Sequence, residues 1–382
     1  MTADESNLFR PLKVGNCHLQ HRIAMAPLTR FRASDSHVPL LPLMKEYYAQ
    51  RACVPGTLLI TEATFISPQA GGYENVPGIY NPEQISAWKE ITDAVHENKS
   101  YIFCQLWSLG RAATKEVLEK EGYKVKSSSA VAIDEEHATP EEMTVEEIKA
   151  KVQEYVHAAK CAVEAGFDGV EIHGANGYLV DQFLQDTCNK RTDQYGGSVE
   201  NRARFALEVV DAVVTAVGAE RVAIRLSPWS KFQGMRMADP KPQFSYLLKQ
   251  FQERGYDEKM AYVHFVATRI AGNATVPEDG SEDESLDFAV ELFKGPVVIA
   301  GGLKSEDAKY LVDKEFKGRD NIVACFGRYF ISTPDLVFRV REGIELSPYD
   351  RDTFYLPKSA RGYTDLPFSK EWERVHGVRS KV

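Results

Sequence analysis

The sequence has no surplus of positive charge. Its 382 residues include 46 Lys and Arg against 55 Asp and Glu, a formal net charge of -9. A protein that binds nucleic acid neutralises phosphates with clustered Lys and Arg, and no basic stripe occurs here. We therefore expect no nucleic-acid partner.

Hydrophobic runs of membrane-spanning length, about 20 residues, are also missing. The first residues, Met1-Thr-Ala-Asp-Glu-Ser-Asn, lack the positive-then-apolar order of a secretory signal. The last residues, Arg379-Ser-Lys-Val, resemble the peroxisomal Ser-Lys-Leu signal but end in valine. We expect a soluble cytoplasmic protein with no membrane partner, and we keep the peroxisome as the alternative location.

The six cysteines include no closely spaced pair, and none has a histidine nearby at metal-ligand spacing. A disulfide framework and a metal site are therefore not expected. Several of them lie in apolar runs that predict strands, where a thiol behaves as a small hydrophobe. We interpret all six as reduced core residues: Cys17, Cys53, Cys104, Cys161, Cys188 and Cys325.

Short apolar runs alternate with amphipathic helical stretches, which is typical of strand and helix units on a parallel sheet. The length fits one barrel with insertions or two ordinary domains. Eight strands favour a single α/β domain over residues 1–382, because eight parallel strands close a (β/α)8 TIM barrel. The predicted strands are Arg22–Leu28, Thr57–Ala63, Tyr101–Leu106, Gly169–His173, Arg221–Ser227, Ala261–Val266, Val297–Ala300 and Ile322–Phe326.

Two segments depart from this alternation. Residues 8–23 predict a hairpin that turns at Gly15-Asn16 and plugs the amino-terminal end of the barrel. Residues 110–144 are too long for an ordinary loop, have little helical period, and predict an excursion after strand three that covers part of the mouth. Thr144-Val-Glu-Glu147 then predicts a capping box on the next helix. The acidic run at 277–285 is interpreted as a solvated loop after strand six.

The stretch from Gly169 to Tyr178 places polar groups directly after a strand of the buried type. His173 and Asn176 can converge there on one oxygen, and Tyr178 reaches beyond them as a proton donor. This set suits a reaction in which a carbonyl oxygen gains negative charge and a neighbouring carbon then takes a proton. The alternative for His173 is a satisfied core or surface histidine.

Other strands deliver polar residues to the same rim. Thr29 follows strand one, Gln105 and Trp107 end strand three, and Arg225 lies inside strand five. A buried Arg225 needs an anionic or polar partner, which is either a ligand or an internal carboxylate.

Glycines end strands seven and eight, where barrels of this class usually bind phosphate. Gly301, Gly302 and Gly327 let backbone amides approach a phosphate closely, and Arg328 can add a bidentate contact. Tight turns also need glycine, so the glycines alone leave both interpretations open.

Six motifs follow one another along nearly the whole chain. They are Ala26-Pro-Leu-Thr-Arg, Phe65-Ile-Ser-Pro-Gln-Ala-Gly-Gly-Tyr, Gln105-Leu-Trp-Ser-Leu-Gly-Arg, His173-Gly-Ala-Asn-Gly-Tyr, Asp193-Gln-Tyr-Gly-Gly-Ser-Val-Glu-Asn-Arg and Phe326-Gly-Arg-Tyr-Phe-Ile-Ser. Together they resemble the old yellow enzyme family of FMN-dependent ene-reductases. The resemblance implies a (β/α)8 barrel with non-covalent FMN, reduced by NADPH and reoxidised by an alkene conjugated to a carbonyl or nitro group.

By position, the resemblance also implies a role for each candidate residue. The flavin ring would be contacted by Thr29 near the C4 carbonyl, by Gln105 at the pyrimidine edge and by Arg225 beside N1, and lined by Pro27, Ala63 and His173. The phosphate would be held by Gly301, Gly302, Gly327 and Arg328. The substrate oxygen would be held by His173 and Asn176, and its α-carbon protonated by Tyr178. The substrate-pocket walls would be Trp107, Phe232, Phe354 and Tyr355.

Three positions refine this interpretation. Thr29, in place of a cysteine, is similar to the yeast and plant branch of the family. Tyr178 favours net reduction, since some fungal alkaloid-pathway relatives carry Phe here and isomerise their substrate. Ala267 and Thr268 stand where the family commonly has Glu-Pro, which puts any substrate contact of that loop in doubt.

Alternatives stay open at this point. One is a barrel that binds flavin or another ligand without turnover, and others within the family are an alkaloid- or terpenoid-pathway isomerase or an aldehyde ene-reductase. An iron–sulfur enoate reductase would need a cysteine cluster that the sequence lacks. The natural alkene, the stereochemistry and the oligomeric state, monomer or homodimer, also stay open.

Overall fold

A closed barrel of eight parallel strands forms the centre of the computed structural model, which describes residues 6–268, 270–271, 274–275 and 284–377. Each barrel strand pairs with the next, and strand eight pairs with strand one, with Ala324 opposite Ile23. The predicted (β/α)8 barrel is therefore confirmed. Barrel strands one to eight are Ile23–Met25, Leu58–Ile60, Tyr101–Trp107, Gly169–Gly174, Val222–Leu226, Tyr262–Val266, Val297–Ala300 and Ile322–Phe326.

Barrel strands one and two are shorter than predicted. Strand one ends at Met25, shortly before Pro27, because proline has no N–H to donate to a strand ladder. Strand two ends at Ile60. Thr29 and Ala63 consequently lie in loops at the carboxyl ends of the strands, where backbone and side chains can face a ligand.

Helices connect the barrel strands and bury their apolar faces against them. The helix that follows strand three begins with the predicted capping box, in which Thr144 Oγ1 accepts from the Glu147 N–H at 3.2 Å and Glu147 Oε2 accepts from the Thr144 N–H at 2.9 Å. Among the described residues, no helix is both long and apolar enough to cross a membrane. The helices are Leu43–Arg51, Pro82–Glu97, Lys115–Lys120, Val145–Glu164, Leu179–Leu184, Val199–Val217, Lys241–Glu253, Asp287–Leu292, Ser305–Tyr310, Arg328–Ser332, Leu336–Glu342 and Lys370–His376.

An antiparallel hairpin closes the amino-terminal end of the barrel, as predicted. Its strands, Leu12–Val14 and Cys17–Leu19, are narrower than the predicted span, since residues 7–9 form a separate 3-10 turn. Val14 packs with the apolar side chains inside the barrel. Gly15 has a φ of +55°, and a Cβ there would lie 2.0 Å from the Glu220 carbonyl oxygen, so the turn requires glycine.

The excursion over residues 110–144 is present, but it is more regular than predicted. It contains the helix Lys115–Lys120 and the paired short strands Lys126–Ser127 and Glu141–Glu142. Six residues are too few for a helical period to show in the sequence. Leu118 packs in one cluster with Trp107, so the excursion covers one side of the mouth.

All six cysteine side chains are buried, which confirms their assignment to the core. Two sequence-based predictions lie outside the described residues. These are most of the solvated acidic loop predicted at 277–285, of which residues 277–283 are not described, and the targeting signal at Arg379-Ser-Lys-Val.

Candidate active site

A cavity of about 470 Å³ lies at the carboxyl ends of the barrel strands. All sixteen residues that the sequence nominated for cofactor or substrate contact line this one cavity. They are Pro27, Thr29, Ala63, Gln105, Trp107, His173, Asn176, Tyr178, Arg225, Phe232, Gly301, Gly302, Gly327, Arg328, Phe354 and Tyr355.

His173 and Asn176 can both present an N–H to the cavity. His173 Nδ1 accepts from the Ala175 N–H at 3.4 Å, which leaves the proton of the neutral ring on Nε2. Burial, with Arg225 and His264 nearby, lowers the pKa of His173 well below its usual value, so the ring is neutral at pH 7. Asn176 has a φ of +57°, and its backbone N–H donates to Ser227 Oγ at 2.7 Å, which fixes the turn.

Tyr178 stands edge-on between two other rings of the cavity. Its ring centroid lies 4.8 Å from that of Trp107 and 4.9 Å from that of His173. Burial raises the pKa of Tyr178 far above that of a free phenol. The hydroxyl therefore keeps its proton at neutral pH and can act as a proton donor.

Sequence reasoning missed a buried carboxylate beneath these groups. Glu171 is fully buried, with Oε1 accepting from Gln105 Nε2 at 2.7 Å and Oε2 lying 2.9 Å from His264 Nδ1. It precedes His173 by two residues, so the alternation of side chains along a strand places both inside the barrel. That spacing was the one sequence signal that could have indicated it.

Arg225 has an internal carboxylate, Glu171, close enough to affect its charge, and it also faces the cavity where a ligand could bind. It lines the cavity, and its Nε has no hydrogen-bond partner among the described residues. Burial lowers the pKa of Arg225, while the negative charge of Glu171 raises it. The Glu171 carboxylate thus partly compensates the positive charge of the guanidinium, which can still bind a ligand in the cavity.

The glycines that follow barrel strands seven and eight form the other end of the cavity. Gly302 has a φ of +68°, a conformation that favours glycine. At Gly327 an added Cβ would meet Leu28 Cδ2 at 3.6 Å, an ordinary van der Waals distance, so the backbone there is not crowded. Lys304 lines the same cavity as Arg328 and was not singled out from the sequence. Two cations and exposed backbone suit a phosphate at this end.

The aromatic wall formed by Phe354 and Tyr355 is held from below by two buried arginines. Arg30 Nε donates to the Phe354 carbonyl at 3.0 Å, and Arg32 Nη1 donates to the same oxygen at 2.9 Å. Arg32 Nε also donates to the Ser359 carbonyl at 2.9 Å. The loop after strand one therefore positions a wall of the cavity more than 320 residues away in sequence.

Comparison with known proteins points the same way as this geometry. The model of the NADH:flavin oxidoreductase / NADH oxidase family matches residues 7–347. The chain is 58% identical over 373 residues to "Chanoclavine-I aldehyde reductase fgaOx3" of Penicillium roqueforti, covering 97% of this chain and 98% of that protein. It is 53% identical over 372 residues to "NADP-dependent oxidoreductase lnbE" of Aspergillus flavus, covering 96% and 97%. It is also 49% identical over 375 residues to "Probable inactive dehydrogenase easA" of Claviceps purpurea, covering 96% of each.

A solved structure gives the same answer for the fold. The old yellow enzyme of Pichia sp. AKU4542 superposes with a TM-score of 0.88 at 42% identity, covering 96% of this chain and 94% of that one. Family match, sequence identity and superposition each span most of the chain. The chain therefore belongs to the old yellow enzyme family, and it is an FMN-dependent oxidoreductase.

Proposed function

We propose that this protein reduces the C=C bond of α,β-unsaturated carbonyl or nitro compounds, with NADPH as the electron donor and FMN bound non-covalently. The observation that carries the proposal is the convergence of His173, Asn176 and Tyr178 on one cavity with Arg225. A pair of oxygen-binding donors beside a protonated phenol suits a conjugate reduction. The name of the Aspergillus flavus relative supports NADP as the nucleotide.

The cavity residues fit a flavin mononucleotide. Arg225 carries a buried nitrogen without a partner among the described residues, and the far end combines Gly302, Gly327 and Arg328. When bound, FMN supplies the hydride-transfer chemistry. Thr29 and Gln105 would hold its ring, and the glycine end would hold its phosphate.

The chain's own residues then supply the polar and proton chemistry. His173 Nε2 and the Asn176 amide bind the carbonyl or nitro oxygen and stabilise the charge that grows there. Because the His173 ring is neutral, it donates a hydrogen bond without losing a proton. Tyr178 gives its proton to the α-carbon.

Among activated alkenes we favour an aldehyde with an apolar, planar body. The Penicillium roqueforti relative is named for an aldehyde substrate. Trp107, Phe232 and Phe354 give the cavity aromatic walls, which bind flat apolar groups well.

Cofactor and turnover can be tested in one experiment. Purified protein should release FMN when it is heated or acidified, and anaerobic NADPH should bleach the flavin. A conjugated aldehyde should then restore the yellow colour. Release of FAD, or flavin retained after denaturation, would overturn the cofactor assignment.

A binding barrel without turnover is the second candidate, because the Claviceps purpurea relative is named as probably inactive. Bleaching by NADPH without recovery on any enal, enone or nitroalkene would support this candidate. Recovery at a rate that matches steady-state turnover would exclude it.

A further inference from the structure

We propose that Glu171 is a positioning residue that orients the Gln105 amide and sets the charge at the pyrimidine edge of the bound flavin. The inference rests on the proposed FMN site. It concerns a residue that lies beneath the cavity and does not line it.

The first step is the orientation of Gln105. In the barrel register Gln105 lies opposite Glu171, and both side chains are buried. An ionised carboxylate can only accept hydrogen bonds, so Gln105 must turn its NH₂ group toward Glu171, as the 2.7 Å contact records. The amide oxygen of Gln105 is then left to accept. A flavin pyrimidine ring has one N–H that such an oxygen can bind.

The second step is charge. Burial alone would raise the pKa of Glu171, but the hydrogen bonds from His264 and Gln105 and the positive charge of Arg225 together hold it below its usual value. Burial lowers the pKa of His264, so that ring is neutral and acts as a hydrogen-bond partner. The carboxylate therefore offsets the Arg225 cation. A flavin gains negative charge when it is reduced. With Glu171 ionised, reduction of the flavin is therefore less favourable than it would be beside Arg225 alone.

Glu171→Gln tests both steps, because it removes the charge and keeps the shape. Without an obligatory acceptor, Gln105 can turn its NH₂ group to the flavin, so the affinity for oxidised FMN should fall. Removing the negative charge of Glu171 next to the flavin site should also raise the ratio of the affinity for reduced FMN to that for oxidised FMN, on the order of tenfold. For two electrons that ratio corresponds to a midpoint potential about 30 mV higher.

Glu171→Asp separates the two steps, since it keeps the charge and withdraws the carboxylate by one methylene. We expect weaker FMN binding with a midpoint potential close to that of the wild type. Glu62→Gln is the matched control, because Glu62 is also buried but bonds to Tyr48 and Arg30 instead. It should change neither quantity.

FMN titration of the apoprotein and a redox titration of the holoprotein read out the result. FMN affinity and midpoint potential unchanged in Glu171→Gln would overturn the inference. If that variant does not fold, unchanged FMN affinity in Glu171→Asp would overturn the orienting role. If the wild-type protein itself binds no FMN, the proposed function fails, which is a different result.

Discussion

At the scale of single residues, Tyr178 and His173 touch edge to face, and the proposed function assigns them to different steps. In that proposal, the phenol is needed only for the step in which a carbon takes a proton. Tyr178→Phe should therefore slow alkene reduction about 10²–10⁴-fold, the range of a lost general acid, and leave flavin reduction by NADPH nearly unchanged. Stopped-flow measurement of the two half-reactions checks this. Equal slowing of both would show that Tyr178 is not the specific proton donor.

The buried carboxyl group of Glu62 should make the free energy of unfolding depend on pH. Burial raises its pKa from 4.5 to about 7, against the opposing effect of Arg30 and Arg32. The folded state therefore holds a proton that the unfolded chain releases near pH 4.5. Stability from this group is greatest below that pH and is lost as the pH rises toward 7.

The variant Glu62→Gln should not show this loss of stability with rising pH, because glutamine does not titrate. Relative to the wild type, its free energy of unfolding should increase between pH 4.5 and 7 and stay level above pH 8. Urea unfolding at several pH values measures the difference. A difference that does not change with pH would show that Glu62 titrates normally in the folded protein.

Sequence reasoning located the cavity side chains because their spacing follows from strand ends. His173, Arg225 and Gln105 end or lie within barrel strands, and a closed parallel barrel brings such positions together. Glu171 was missed because its one signal, the two-residue spacing from His173, places it inside the barrel without indicating which groups it contacts. Arg30 and Arg32 were missed because their acceptors are distant backbone carbonyls, which leave no mark in the sequence.

At the scale of elements, the segment 353–362 is attached to the loop after barrel strand one. The attachment is mostly buried: Arg32 donates to the carbonyls of Phe354 and Ser359, and its guanidinium stacks over the ring of Tyr363 at 4.8 Å. Buried hydrogen bonds to a charged group contribute about 1.5–3 kcal/mol each. The aromatic wall should therefore be rigid.

Arg32→Met should loosen that wall and spare the chemistry. We expect a higher KM for bulky aromatic enals, faster proteolysis within 353–362, and an unchanged rate of flavin reduction at saturating NADPH. Lys358→Met is the control, since Lys358 joins the same segment to Asp35 through an exposed ion pair. Equal effects of both substitutions would show that burial of the arginine has no special role.

The helices and strands differed in how accurately the sequence predicted their positions. Barrel strands three to eight were placed within one residue at each end, because apolar runs flanked by helices leave few alternatives. The helix Lys115–Lys120 was not predicted, since one and a half turns are stabilised by tertiary packing of Leu118 and not by a visible period.

At the scale of the whole molecule, the hairpin Leu12–Leu19 occupies the amino-terminal end of the barrel. Ligands must therefore enter the cavity through its mouth at the carboxyl ends of the barrel strands. If the protein has the proposed function, NADPH and the alkene should bind in turn at this one site, and each should leave before the other binds. Double-reciprocal plots at several alkene concentrations should give parallel lines, and excess alkene should inhibit in competition with NADPH. Intersecting lines would mean that NADPH and the alkene bind at the same time, and that the barrel has a second entrance.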